Sequence, residues 1–123
     1  MNSRAYKIIS IMIGFLLLAN AAADAHAFLD HALPKVGSEV SPAPTEVKIW
    51  FTQAVEPAFS SIQVFSANGN EVDKKNTHVD KSDAHLLIVS LETVPPGTYK
   101  VEWKVVSVDT HRTHGDFKFV VKT

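Results

Sequence analysis

Cysteine is absent from the 123-residue sequence, and only two methionines occur. Disulfide bonds and thiolate chemistry are therefore excluded, although small exported domains often depend on disulfides. Both methionines, Met1 and Met12, lie in the first segment of the chain. The remainder has no soft sulfur ligand for a metal ion. Its stability must come from an apolar core, with a bound metal as a further source.

The sequence also lacks a basic tract and a strong excess of either charge. The 12 lysines and arginines stand against 13 aspartates and glutamates, so the net charge at pH 7 is −1. Beyond the first segment, Arg112 is the one arginine. Nucleic-acid-binding proteins carry clustered basic residues, often interleaved with aromatic ones. No nucleic-acid partner is therefore expected.

One long apolar run is present, from Ile8 to Ala19, and no second run follows it. It comes after two basic residues and before the small-residue motif that ends at Ala25, an order typical of a secretory signal peptide. The run is too short to span a bilayer comfortably. We expect residues 1–25 to be a cleaved signal peptide and residues 26–123 to form one exported, soluble domain.

The hydrophobic pattern after residue 25 has the period of β-strands. Val47, Ile49 and Phe51 alternate with more polar neighbours, which predicts a strand with one buried face. Further strands are predicted at Ser61–Phe65, Leu86–Leu91, Tyr99–Val108 and Asp116–Val121. Turn-forming residues separate them, and no helical periodicity appears. The pattern predicts an all-β fold, a Greek-key β-sandwich or barrel.

Two finer expectations follow from the same pattern. The charged stretch from Glu71 to Ala84 has no periodicity, so we predict an exposed connection with at most one short strand. Tyr99 and Trp103 lie at strand spacing, and aromatic residues so placed usually fill the interior of a sandwich.

Six histidines in a chain without cysteine indicate metal chemistry, because imidazole is the commonest metal ligand. Cleavage after Ala25 makes His26 the first residue, where a free amine and a ring nitrogen can close a chelate on one ion. Copper(II) prefers nitrogen and oxygen donors in a tetragonal plane and lies at the top of the divalent affinity series. The alternative is a histidine at a frayed terminus without a role.

The motif Asp109-Thr110-His111 follows the longest predicted strand. Residues two apart on an extended chain point to the same face, so this carboxylate and imidazole can bind one ion together with His26. The resulting set of three nitrogens and one oxygen suits copper(II). The alternative for this motif alone is a surface loop in which the aspartate caps a turn.

The mature start at His26, the block from Pro96 to Trp103, the Asp-x-His motif and the closing segment Gly115–Phe119 together resemble the CopC-type periplasmic copper-resistance proteins. The resemblance covers essentially the whole mature chain. It implies an immunoglobulin-like β-barrel in the periplasm that carries one copper(II) ion on His26, Asp109 and His111. The methionine-rich copper(I) loop of many members is missing, so a copper(I) site is not expected.

The resemblance also implies a copper carrier or buffer that hands its ion to a CopD-type inner-membrane transporter or to another periplasmic copper protein. Two other functions remain open at this point. The first is an oxidative copper enzyme of the polysaccharide monooxygenase kind, which an aspartate in the copper plane disfavours because it stabilises the oxidised ion. The second is a zinc protein or a metal-free interaction module on the same fold. We predict that the protein is not an enzyme.

The remaining histidines are expected outside the ligand set. His114 follows the Asp-x-His motif closely, and we expect it either to support the metal site without binding the ion or to be exposed to solvent. His31, His78 and His85 are expected to be solvated. Glu56 precedes Pro57 in a loop that nothing in the sequence locates relative to the metal.

Overall fold

The computed structural model describes residues 27–123. The predicted signal peptide and His26 lie outside these described residues. The strands of residues 27–123 are β1 (Leu29–Leu33), β2 (Glu39–Val40), β3 (Glu46–Phe51), β4 (Ser61–Ser66), β5 (His78–Asp80), β6 (Asp83–Ser90), β7 (Gly97–Val106) and β8 (Arg112–Val121). One turn of 3-10 helix covers Pro57–Phe59. Within this part of the chain, no helix has the length and apolar character needed to cross a bilayer.

The strands form two four-stranded sheets whose buried faces share one core. The order in the first sheet is β1-β3-β6-β5, and in the second it is β2-β8-β7-β4. The pairings are antiparallel except for β2 with β8. Residues from both sheets belong to a single hydrophobic cluster. The prediction of an all-β sandwich is confirmed.

The core follows directly from the alternation of the sequence. Val47, Ile49 and Phe51 of β3 are buried, and the residues between them are only half-buried. Tyr99 and Trp103 of β7 face the same interior, so their predicted core role is confirmed. The rings of Phe51 and Trp103 meet edge to face with centroids 5.2 Å apart. Burial of each such side chain contributes about 1.5–3 kcal/mol to folding.

The ends of the two longest strands differ from the prediction. The strand predicted over Tyr99–Val108 ends at Val106, and β8 begins at Arg112 rather than at Asp116. The two strands pair continuously from Gly97 opposite Val121 to Val106 opposite Arg112. The first part of β8 alternates between exposed and half-buried residues, so hydrophobic periodicity does not reveal it.

The connection predicted from Glu71 to Ala84 contains one short strand, β5, but it ends earlier than predicted because β6 begins at Asp83 rather than at Leu86. The expectation that it is exposed throughout is wrong at Asp73, which is buried. Its Oδ1 accepts a hydrogen bond of 2.8 Å from the backbone amide of Val64 in β4. The buried carboxylate thus satisfies a buried strand amide, a pairing that only the tertiary structure reveals.

The absence of a side chain at Gly115 allows β8 to pass closely over Trp103. The two residues are paired across β7 and β8. A Cβ atom at position 115 would lie 2.5 Å from Cζ2 and 2.8 Å from Cε2 of the indole. Because Trp103 is buried against Phe51, its ring has little room to shift. The glycine of the closing segment is therefore required by packing.

We predict that Gly115→Ala lowers the free energy of unfolding by about 1–3 kcal/mol, the usual cost of overpacking a core. Urea unfolding followed by tryptophan fluorescence measures this change. Lys118→Ala, at an exposed position of the same strand, is the control and should change stability by less than about 0.5 kcal/mol. Equal stability of Gly115→Ala and the wild type would contradict this account of the packing.

Candidate metal centre

The Asp-x-His motif lies in the hairpin connection between β7 and β8. Val106 and Arg112 are the last paired residues, and the amide of Ser107 donates to the carbonyl of His111 over 2.9 Å. The amide of Thr110 donates to the carbonyl of Ser107 over 2.8 Å, and Thr110 has a positive φ of 72°. The chain is therefore folded tightly back on itself in this connection, which we call the metal turn, residues 107–111.

The metal turn brings Asp109 and His111 together, as predicted, but for a different reason. The prediction relied on an extended strand, whereas the two residues belong to a turn. Asp109 Oδ1 lies 3.3 Å from Nδ1 of His111. Both side chains remain about half exposed, at 45% and 50%. The carboxylate and the imidazole are thus adjacent to each other and accessible from solvent.

Ser107 is fully buried and holds the metal turn together through its hydroxyl group. Its hydroxyl donates a hydrogen bond to Asp109 Oδ1 and accepts one of 3.2 Å from the amide of His111. The hydrogen bond from Ser107, followed by the interactions with His111, lowers the pKa of Asp109 below its ordinary value. The carboxylate is therefore ionised under neutral conditions, as a metal ligand must be.

The start of the described chain is attached to the same end of the sandwich. Ala27 is fully buried, and its carbonyl accepts a hydrogen bond of 2.5 Å from the hydroxyl of Thr113, at the beginning of β8. The next residue, Phe28, pairs with Thr52 twice: its amide donates to the Thr52 hydroxyl over 3.0 Å, and its carbonyl accepts from the Thr52 amide over 2.8 Å. These contacts fix the segment that follows His26.

Within residues 27–123, no three histidine, aspartate or glutamate side chains converge in a way that could hold a metal ion. Asp109 and His111 form a pair, and His26 lies outside the described part of the chain. The structure therefore brings together two of the three predicted ligands and leaves the third untested.

The other four histidines of the described residues are exposed. His114 is exposed on β8, where it is paired with Lys104. His78 and His85 are exposed, and each ring nitrogen Nδ1 lies 2.9 Å from a backbone carbonyl. His31 is exposed but stacks on Trp50 with ring centroids 4.4 Å apart, a contact that the sequence pattern did not reveal.

Sequence reasoning missed Ser107, Thr113 and Thr52 as positioning residues. Thr113 and Thr52 act through hydrogen bonds to segments that are distant in the chain. Ser107 acts locally, and its position two residues before the aspartate of the motif is the one signal in the sequence. The structure also locates the loop of Glu56, whose amide donates to the carbonyl of Val106 over 2.8 Å. This loop lies beside the end of β7 and hence beside the metal turn.

We predict that Ser107→Ala raises the pKa of Asp109, because the hydroxyl that stabilises its ionised form is removed. Carbon-13 NMR of the aspartate carboxyl across the acid range, on the metal-free protein, measures the change. In the wild type, the interactions of ionised Asp109 stabilise the fold above the unfolded-state pKa and are lost as the pH falls through the lower folded-state pKa. An unchanged titration of Asp109 in the variant would contradict the role of Ser107.

This chain is similar to known proteins in sequence and in structure. The family model of the CopC domain matches residues 29–122. The copper transport protein CutJ of Bacillus subtilis is 34% identical over 112 residues, which are 90% of this chain but 21% of CutJ. This chain thus spans about a fifth of that relative.

Two further matches extend over most of both proteins. Protein YobA of Escherichia coli is 36% identical over 99 residues, which cover 80% of each chain. The crystal structure of CopC from Methylosinus trichosporium OB3b superposes with a TM-score of 0.74 and 31% identity. That superposition covers 79% of this chain and 94% of the other. The likeness therefore includes both sheets and their connections.

Proposed function

Because this chain belongs to the CopC domain family, we propose that it binds one copper(II) ion in the periplasm through His26, Asp109 and His111 and passes the ion to a partner. Residues 1–25 are the export signal in this proposal, and residues 26–123 are the copper-binding domain. The observation that carries the proposal is the hydrogen bond from Thr113 to the carbonyl of Ala27, the residue directly after His26.

That hydrogen bond supports the proposal through chain connectivity. Thr113 is two residues beyond His111 in the same hairpin, and consecutive Cα atoms are about 3.8 Å apart. A residue joined to Ala27 therefore starts from the end of the sandwich that carries the metal turn. In this proposal, the amine and imidazole of a terminal His26 bind the same ion as the Asp109–His111 pair. Burial of Ala27 limits how far this start can move.

The donors favour copper(II) over other common ions. One amine, two imidazoles and one carboxylate make three nitrogens and one oxygen, which suits the tetragonal geometry of copper(II). The carboxylate is ionised at neutral pH, and the hydrogen bond from Ser107 lowers its pKa further. Residues 26–123 contain neither methionine nor cysteine, so the soft ligands that favour copper(I) are missing from this segment.

Carriage of copper, rather than catalysis, is the function that we propose for this site. A carboxylate in the copper plane stabilises the oxidised ion and so opposes redox turnover. The relative CutJ is named a copper transport protein, and the segment similar to this chain is about a fifth of it. We therefore propose that the partner is a membrane copper transporter of the CopD type or another periplasmic copper protein.

We predict that His26→Ala, Asp109→Ala and His111→Ala each weaken copper(II) binding at least about tenfold, the smallest loss expected when even a supporting group of a metal site is removed. Competition with a chromophoric chelator measures the affinity. His78→Ala is the matched control, since that ring lies on β5 and contacts the carbonyl of Asn76. Retained affinity in all three ligand variants, or a preference for zinc in the competition, would disprove the assignment.

We also predict that Thr113→Val weakens copper(II) binding about twofold to tenfold although Thr113 is not a ligand. The variant removes a hydrogen bond that contributes about 0.5–1.5 kcal/mol to fixing the segment after His26. The electron paramagnetic resonance spectrum of the loaded variant should match the wild type, because the donor atoms are the same. Thr98→Val, at an exposed position of β7, is the control and should bind normally. Wild-type affinity of Thr113→Val would contradict the positioning role.

A further inference from the structure

Large apolar side chains that remain exposed are concentrated around the metal turn. Five such residues occur in the described part of the chain: Phe28, Leu33, Val36, Phe59 and Val108. Phe28, Phe59 and Val108 belong to segments that are hydrogen-bonded to the metal turn or to the adjoining strand ends. Leu33 is the last residue of β1 and pairs with Lys48, at the end of β3 away from Phe51, and Val36 lies three residues further along the chain.

Backbone contacts fix the position of each of the three residues. Val108 lies within the metal turn, and its amide donates to the carbonyl of Ala54 over 3.1 Å. Phe59 ends the 3-10 turn, whose two flanking residues both bind Val106: the amide of Glu56 donates to its carbonyl, and the hydroxyl of Ser60 accepts from its amide. Phe28 follows Ala27, which Thr113 fixes.

Phe59 borders a groove on the outer face of the β7–β8 hairpin. The groove has a volume of about 390 Å³, and its lining includes Phe59, Lys104, Val106, Arg112 and His114. Phe59 is 70% exposed, so one side of an aromatic ring faces water next to this groove. A concave site bordered by an exposed aromatic ring fits one apolar side chain of a partner.

The groove carries two cationic side chains and no acidic one in its lining. Lys104 and Arg112 both line it, although acidic residues outnumber basic ones in the sequence. Neither cation forms an ion pair with an acid of residues 27–123. Two residues further along the hairpin, Glu102 is paired with Asp116, and the Glu102 carboxylate lies 3.3 Å from Lys100. The cations at the groove are thus available to a ligand.

We infer that this groove and its apolar border, which we call the docking surface (Phe59, Lys104, Val106, Arg112 and His114), bind an acidic segment of the copper-receiving protein. An apolar or aromatic side chain of that segment would occupy the groove beside Phe59, and its carboxylates would meet Lys104 and Arg112. The inference rests on the proposed copper-carrying function. It adds where the partner binds and what chemistry the partner presents.

Continuity with the metal turn supports a protein partner at this place. A copper ion passes between two proteins only when the ligands of both come within bonding distance, so the recipient must contact the end of the sandwich that carries Asp109 and His111. Arg112 directly follows His111, which joins the docking surface to the metal turn without a gap. Complementary charges at such a border raise the rate and the specificity of encounter.

The test uses the exported protein without copper and a short acetylated peptide with one tryptophan between aspartates and glutamates. The peptide has no histidine and no free amine, so it does not offer the terminal copper chelate. Nitrogen-15 NMR titration should show shift changes at the docking surface that weaken with added salt. A peptide with lysines in place of the acids should not bind. Changes elsewhere, or none, would overturn the inference.

Variants separate the docking surface from the copper ligands. Phe59→Ser should weaken peptide binding at least about fivefold, as expected for an anchoring aromatic residue, and Lys104→Gln should reduce its salt dependence. Val36→Ser and Lys118→Gln are matched controls on exposed positions away from the groove and should bind the peptide normally. Equal effects of the control variants would overturn the inference.

Failure of the docking surface and failure of the copper site give different results. Phe59→Ser and Lys104→Gln should bind copper(II) like the wild type, and His111→Ala should still bind the acidic peptide. If the protein does not bind copper(II) but the peptide binds at the groove, the proposed function is wrong. The docking surface then binds acidic segments for a purpose other than copper transfer. Phosphatidylglycerol vesicles form a third arm, and vesicle binding through Phe59 without peptide binding would overturn the inference in favour of a membrane surface.

Discussion

The pairing of β7 with β8 is the constraint on which the candidate site depends. Its continuous register ends at Val106 and Arg112, so the connection between them must turn at residues 107–111 and bring Asp109 next to His111. The same register puts Thr113 where its hydroxyl meets the carbonyl of Ala27. One hairpin thus fixes the positions of Asp109 and His111 and also anchors Ala27, the residue after the third candidate ligand, His26.

The parts of the fold that sequence predicted well are those governed by alternation. Val47, Ile49 and Phe51, and likewise Tyr99 and Trp103, are buried on one face because a strand repeats every two residues. Pairing between distant segments has no such local signature. The first half of β8, the buried carboxylate of Asp73 and the stack of His31 on Trp50 therefore appeared only in the structure.

The candidate site shows the same division. The residue types and spacing of Asp109 and His111 indicated a ligand pair, but the extended geometry assumed for them was wrong. The buried hydroxyl of Ser107 acts across a turn, and the hydroxyl of Thr113 acts between remote segments. Hydrophobic periodicity does not reveal contacts of either kind. The resemblance to the CopC family is confirmed by the family model over residues 29–122, and it supplied the overall outline that these details complete.

The central claim is that the amine and ring of a terminal His26 complete a copper(II) site with Asp109 and His111. Pulsed electron paramagnetic resonance of the copper-loaded exported protein, with nitrogen-15 incorporated at position 26 alone, tests it most directly. The account predicts strong nitrogen-15 coupling to copper from both the terminal amine and the imidazole of that residue. A spectrum in which the labelled residue shows no coupling would contradict it.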